Sequence, residues 1–141
     1  MPEDDETHPE ALAELEAEHR RLLALARTLT SARARGTDEP PEWAELDGLL
    51  RRHFAKEEHG IFRQVRETAP IGDGIDAFCD EHANLLDALD RGFADPGTPE
   101  ALKSLVIGVV GEERDLFPHV IQVLDRAQWD DVAAAHRAVD G

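Results

Sequence analysis

Apolar residues recur three and four positions apart along four long segments, and short clusters of Gly, Pro, Asp and Thr separate them. That period lets a helix present one continuous apolar stripe to its neighbours. The first segment runs from about Pro9 to Arg35, with Thr7 and Glu10 as a capping box and Gly36 as the stop. Its inward positions are Leu12, Leu15, His19, Leu22, Ala26 and Leu29. The second runs from about Pro41 to Thr68, with the stripe Trp43, Leu46, Leu50, His53, Glu57 and Ile61. The third spans about Asp73 to Gly92 and carries Ile75, Phe78, His82, Leu85 and Leu89. The fourth opens at Thr98-Pro99, read as an N-cap and a first-turn proline. Its stripe reads Leu102, Leu105, Gly108, Glu112, Leu116, His119 or Val120, and Val123, with Pro118 expected to kink or break it. A short amphipathic tail, Trp129 to Val139, follows. The pattern predicts an all-α fold: an up-down-up-down four-helix bundle with a short C-terminal helix.

Each stripe is apolar except near its middle, where His19, His53, Glu57, His82 and Glu112 stand in place of Leu or Ile. In antiparallel neighbours these five fall at matching heights. His53 and Glu57 are one turn apart on the same side of their helix. A buried carboxylate without a partner is expensive, and two in one core need compensation. Imidazole and carboxylate from facing helices are the donors a divalent metal takes, and bridging carboxylates can hold two ions. With no sulfur in the stripe, iron is favoured over a structural zinc, and manganese fits the same donors. The plainer readings are a metal-free hydrogen-bonded network or a stripe read in the wrong register.

Composition narrows the function. The 141 residues carry 15 Lys plus Arg against 31 Asp plus Glu, a formal net charge of −16. Such a field repels phosphate backbones and anionic lipid, so neither nucleic acid nor a membrane surface is expected as a partner. One Cys excludes an internal disulfide framework and a Cys-rich metal site. The acidic start, Met1 to Glu6, lacks the basic and apolar parts of a signal peptide, and no apolar run is long enough to span a bilayer. The expectation is a single cytoplasmic domain over residues 1–141, with residues 1–7 frayed.

The motifs in this order resemble one family, the hemerythrin-like (HHE cation-binding) domains. The text that carries the resemblance is Glu18-His19, the run from His53 to Phe62 with Glu57-Glu58-His59, Glu81-His82, and Glu112-Glu113 with Leu116-Phe117-Pro118. The resemblance implies a non-haem di-iron centre, oxo- or hydroxo-bridged. His19 and His53 would serve one iron and His82 the other, with Glu57 and Glu112 bridging. It also implies reaction with a small molecule, since such domains bind dioxygen, decompose peroxide, react with nitric oxide, or sense iron and oxygen. A partner protein would then be an electron donor or a signalling protein.

The chain departs from the family pattern at Gly108, where a His four residues before the glutamate is usual. A mid-helix glycine costs about 0.5–1 kcal/mol relative to Ala, so a use is expected. Two uses compete: close helix packing, or an open coordination position facing a pocket of Leu85 or Leu86 and Leu22 or Leu23. The remaining histidines have plain roles. His8 and His136 are expected to be solvated, His59 on the surface and His119 at the core edge. Glu16 and Cys79 each precede a ligand His by three residues and approach the site on that spacing. Cys79 otherwise reads as a small buried hydrophobe. Glu58 and Glu113 are placed on the solvated face, with a hydrogen bond to a ligand as the alternative. Trp43 and Trp129 pack the bundle ends. Three functions follow: a di-iron oxidoreductase acting on peroxide or nitric oxide, a sensing or binding module without turnover, or a metal-free helical protein.

Overall fold

The computed structural model describes residues 7–68, 72–95 and 97–141. Six helices carry them in order: α1 Thr7–Ala34, α2 Pro41–His59, α3 Ile61–Thr68, α4 Gly72–Arg91, α5 Thr98–Val123 and α6 Arg126–Asp140. Among the described residues there is no strand. The fraying expected over residues 1–7 concerns residues outside the described ones except Thr7, which opens α1. The side chains of Thr7 and His8, with the cap expected at Thr7, lie outside them too.

Two positive-φ glycines end the long helices of the two hairpins. Gly36 at φ 71° stops α1 and Gly92 at φ 88° stops α4, a backbone region that side chains with a Cβ avoid. The second segment is not one helix but two, divided at Gly60 (φ −104°, ψ −98°). A Cβ there would meet the Lys56 carbonyl at 2.6 Å, with Val132 and His136 of α6 at 3.4 and 3.6 Å. Glycine thus permits the bend, while the α6 side chains lie at ordinary van der Waals distance. The start of α5 also shifts. Gly97 is the N-cap and makes no side-chain cap bond, while Thr98 is buried as the first helical residue. Pro118 does not end the helix, which continues to Val123. The tail begins earlier than Trp129, at Arg126, because Asp125 and Gln128 form a reciprocal capping box.

The core fills two clusters, and their membership gives the topology. One joins the end of α1 (Leu22, Leu25, Leu29), the start of α2 (Leu46, Leu50, Phe54), the end of α4 (Leu85, Leu89) and the start of α5 (Leu102, Val106, Val109, Val110). The other joins the start of α1 (Leu12, Leu15), α3 (Ile61, Phe62, Val65), the start of α4 (Ile75), the end of α5 (Phe117, Val120) and α6 (Trp129, Val132). Ends meeting starts around the ring is the up-down-up-down bundle. Trp43 closes the first cluster edge-on to Phe93, ring centroids 5.9 Å apart. No helix among the described residues is long and apolar enough to cross a membrane.

Candidate metal centre

Between the two apolar clusters lies a polar layer, one turn deep on each helix. His19 comes from α1, His53 and Glu57 from α2, His82 from α4 and Glu113 from α5, all at most 2% exposed. The stripe positions above and below them are apolar, so each ligand-bearing turn is fixed from both sides by packing. One ligand atom each from His19, His53, Glu57 and Glu113 lies within 4.8 Å of the others, a spacing that can hold a metal ion.

The two carboxylates divide their oxygens. Glu113 Oε1 lies 2.6 Å from Nε2 of His19 and 3.4 Å from Nε2 of His53, while its Oε2 lies 3.2 Å from Nε2 of His82. Glu57 Oε2 lies 3.4 Å from Nε2 of His53, and Glu57 Oε1 lies 3.4 Å from Nε2 of His82. Each carboxylate therefore turns one oxygen to the side of His53 and the other to the side of His82. Yet neither oxygen of fully buried Glu57 accepts a hydrogen bond. Leaving such a group unpaired costs several kcal/mol, of order the penalty for a buried charge without its partner. A cation compensates for it, and the oxygen and nitrogen donors suit a hard or borderline metal.

Outside this layer, carboxylates orient two of the histidines. Nδ1 of His53 donates to Glu18 at 2.7 Å, and Nδ1 of His82 donates to Glu58 at 2.8 Å. Both bonds fix the ring so that Nε2 points inward, the arrangement that tunes metal-bound imidazole. His82 is also held flat between aromatic rings, with the Phe54 centroid 3.6 Å and the Phe62 centroid 5.6 Å away. His19 stacks on Phe117, and its Nδ1 has no protein partner.

Electrostatics follow from this crowding. Burial alone lowers the pKa of His53, but Glu57, Glu113 and Glu18 raise it well above the ordinary imidazole value. For His82, burial is likewise outweighed by the nearby carboxylates of Glu113, Glu57 and Glu58, which lift it to about 11. Burial pushes Glu113 up, and three imidazoles pull it well below the carboxylate range. Glu57 moves the other way, raised by burial and by the charge of Glu113. With the pKa of both His53 and His82 raised, metal and protons compete for their inward nitrogen atoms.

Four of the five residues expected at the site are brought together there: His19, His53, Glu57 and His82. The fifth is corrected. Glu112 is exposed, and its neighbour Glu113 takes the buried position. The stripe of α5 is rotated by one residue, or 100°, from the expected one. It buries Leu102, Val106, Val109, Val110, Glu113, Phe117 and Val120. Apolar or acidic doublets (Leu105-Val106, Glu112-Glu113, Leu116-Phe117) make both registers periodic. The rotated set buries more side chain, since the other places Gly108 inside.

The same rotation removes both uses expected of Gly108. It is exposed, and a Cβ there would meet nothing within 4 Å, so it neither opens a coordination position nor permits close packing. Val109 is the residue four before Glu113. It lines a cavity of about 10 Å³ with His19, His53, Glu113, Leu22, Leu50, Phe54, Leu85, Val106 and Val110. An apolar pocket therefore exists where one was expected, with Val109 rather than Gly108 as its α5 wall.

Other expectations divide. His59 is exposed as anticipated. His119 is exposed rather than at the core edge, and His136 is buried at 3% beside Glu14, 3.1 Å away, instead of solvated. Glu58 makes the hydrogen bond held as its alternative. Cys79 is half-buried against the second core cluster, 3.9 Å from Arg66, and no member of the polar layer. Glu16 is exposed and lines a surface pocket with His19.

Lys56 was missed. It is 2% exposed on α2, with Nζ 2.6 Å from Glu18, 2.9 Å from Glu14 and 3.0 Å from Asp140. Burial pulls its pKa down, and the three carboxylates more than reverse the effect and raise it. The signal for it was the pair Glu14 and Glu18, one turn apart and flanking the stripe of α1.

The profile of one family, described as the hemerythrin HHE cation-binding domain, matches residues 10–120. No curated protein sequence and no solved structure gives a match.

Proposed function

The chain belongs to the hemerythrin HHE cation-binding domain family, and from that premise we propose that the polar layer holds two iron ions which react with a small oxidant: peroxide, nitric oxide or dioxygen. His19 and His53 would hold one iron and His82 the other, with Glu57 and Glu113 shared between them. The observation that carries this reading is the division of oxygens: Glu57 and Glu113 each offer one to the His53 side and one to the His82 side. A single ion would leave an oxygen of each buried carboxylate uncompensated.

Iron supplies the one-electron and two-electron chemistry that peroxide, nitric oxide and dioxygen undergo. The chain's own residues do the rest. Glu18 and Glu58 hold His53 and His82 with Nε2 turned inward. Val109 stands where a further imidazole would complete the ligand set, so the side of His19 and His53 is bounded by an apolar cavity. At about 10 Å³ that cavity is at the lower limit for one water-sized molecule. Its hydrocarbon walls favour small neutral molecules over hydrated ions.

The test is a rapid-mixing measurement on iron-loaded protein. Repeated consumption of peroxide or nitric oxide with a supplied reductant supports an oxidoreductase. One equivalent taken up without turnover supports a binding or sensing module. An iron-loaded protein inert to all three oxidants contradicts the proposal.

A further inference from the structure

We propose that α6 is part of the metal centre, because Lys56 acts as a positioning residue that ties Asp140 of α6 to the ligand His53 through Glu18. The inference rests on the reading that His53 holds a metal ion. It goes beyond the family match, which ends at residue 120, before α6 begins.

The contacts form a chain across three helices. Asp140 Oδ1 meets Lys56 Nζ at 3.0 Å, Lys56 Nζ meets Glu18 Oε2 at 2.6 Å, and Glu18 Oε1 accepts from His53 Nδ1 at 2.7 Å. Glu18 accepts a hydrogen bond from the ammonium, and Glu14 and Asp140 pair with it by charge at 2.9 and 3.0 Å. Glu14 also meets Nδ1 of buried His136, a second contact from α6 to the same cluster. α6 packs against the bend of α2 at Gly60, where Val132 and His136 lie within van der Waals reach of the glycine.

Charge explains why the parts act together. Lys56 pairs with three carboxylates, two from α1 and one from α6. Without it, Glu14, Glu18 and Asp140 repel one another, and Glu18 gains more by turning to water than by holding His53. The imidazole then loses the acceptor that fixes its tautomer and the inward aim of Nε2. Loss of Asp140 alone leaves Lys56 paired with Glu14 and Glu18 and loosens its hold on Glu18 by less.

Ferrous iron is titrated anaerobically, against a competing chelator, into the metal-free full chain and three variants. Lys56→Gln should weaken iron binding about 10–100-fold, the range for a lost partner of a metal-bound histidine, and Asp140→Asn about 3–10-fold. Both should shift the visible absorption of the oxidised protein. Val132→Ala is the control. It lies buried in α6 outside the charge chain and should lower the Tm while leaving affinity and spectrum as in the parent. Should Lys56→Gln fail to fold, Asp140→Asn decides, since Asp140 is half-exposed. The inference is overturned if Asp140→Asn binds iron within twofold of the parent with an unchanged spectrum, or if Val132→Ala weakens binding as much as Asp140→Asn. A parent that binds no iron overturns the metal reading itself, a result distinct from either.

Discussion

Glu58 reaches across from α2 to hold Nδ1 of His82 on α4, 2.8 Å away. Its sequence neighbour Glu57 faces the metal layer, so one acidic doublet supplies both a buried carboxylate and the support of a histidine on another helix. Glu58 is 41% exposed at its side chain, which makes it replaceable without opening a cavity. Glu58→Gln should keep the fold and weaken iron binding about 10-fold or more, because the amide is a poorer acceptor for the imidazole N–H. Chelator competition measures it. Affinity equal to the parent would show that the bond does not position His82.

The register of α5 separates the two glutamates of the second doublet. Glu113→Gln should abolish or sharply reduce iron loading, since Glu113 lies within reach of all three histidines. Glu112→Gln should load as the parent does, because Glu112 is exposed. Iron content after identical reconstitution reads the difference, and the reverse pattern would restore the other register.

Four of the five layer residues could be read from the sequence because His19, His53, Glu57 and His82 interrupt stripes that are otherwise apolar and unambiguous in phase. Glu113 could not, since Leu105-Val106, Glu112-Glu113 and Leu116-Phe117 are doublets that suit either register. The buried Lys56 and His136 escaped for another reason. Lysine is almost never inside unless paired, and its three partners lie on two helices whose contact with α2 is a tertiary fact. The break at Gly60 was hidden because the stripe runs through it to Ile61, and the glycine is required only by the bent backbone, where a Cβ would meet the Lys56 carbonyl.

Val109 and Gly108 should respond oppositely. Gly108→Ala adds helix propensity on an exposed face, worth up to about 1 kcal/mol in stability, and leaves iron chemistry unchanged. Val109→His places an imidazole four residues before Glu113, into the cavity beside His19 and His53. It should cost about 1–3 kcal/mol in overpacking, retain iron and slow the reaction with peroxide or nitric oxide. A Val109→His protein that keeps its iron and reacts at the parent rate would refute the assignment of this cavity as the oxidant's place.

A pH signature comes from Glu81, which burial and the neighbouring carboxyl of Glu112 hold up at about 7. A carboxyl whose folded pKa is raised binds more protons folded than unfolded. Its contribution to stability is therefore full below the ordinary value near 4.5 and is lost as pH rises through about 7. Glu81→Gln removes the dependence. In the metal-free protein it should raise Tm more at pH 8 than at pH 5, and an equal change at both would show that the pair does not titrate in this range.

The most direct measurement is metal content per chain after anaerobic loading with ferrous iron and removal of the excess, read by elemental analysis against protein concentration. Two carboxylates that each face both sides of the layer predict about two irons per chain. The loaded protein should also melt several degrees above its chelated form, since bound metal adds RT ln(1 + [L]/Kd) to stability. Iron near zero, with the chelated and loaded samples melting together, would contradict the account.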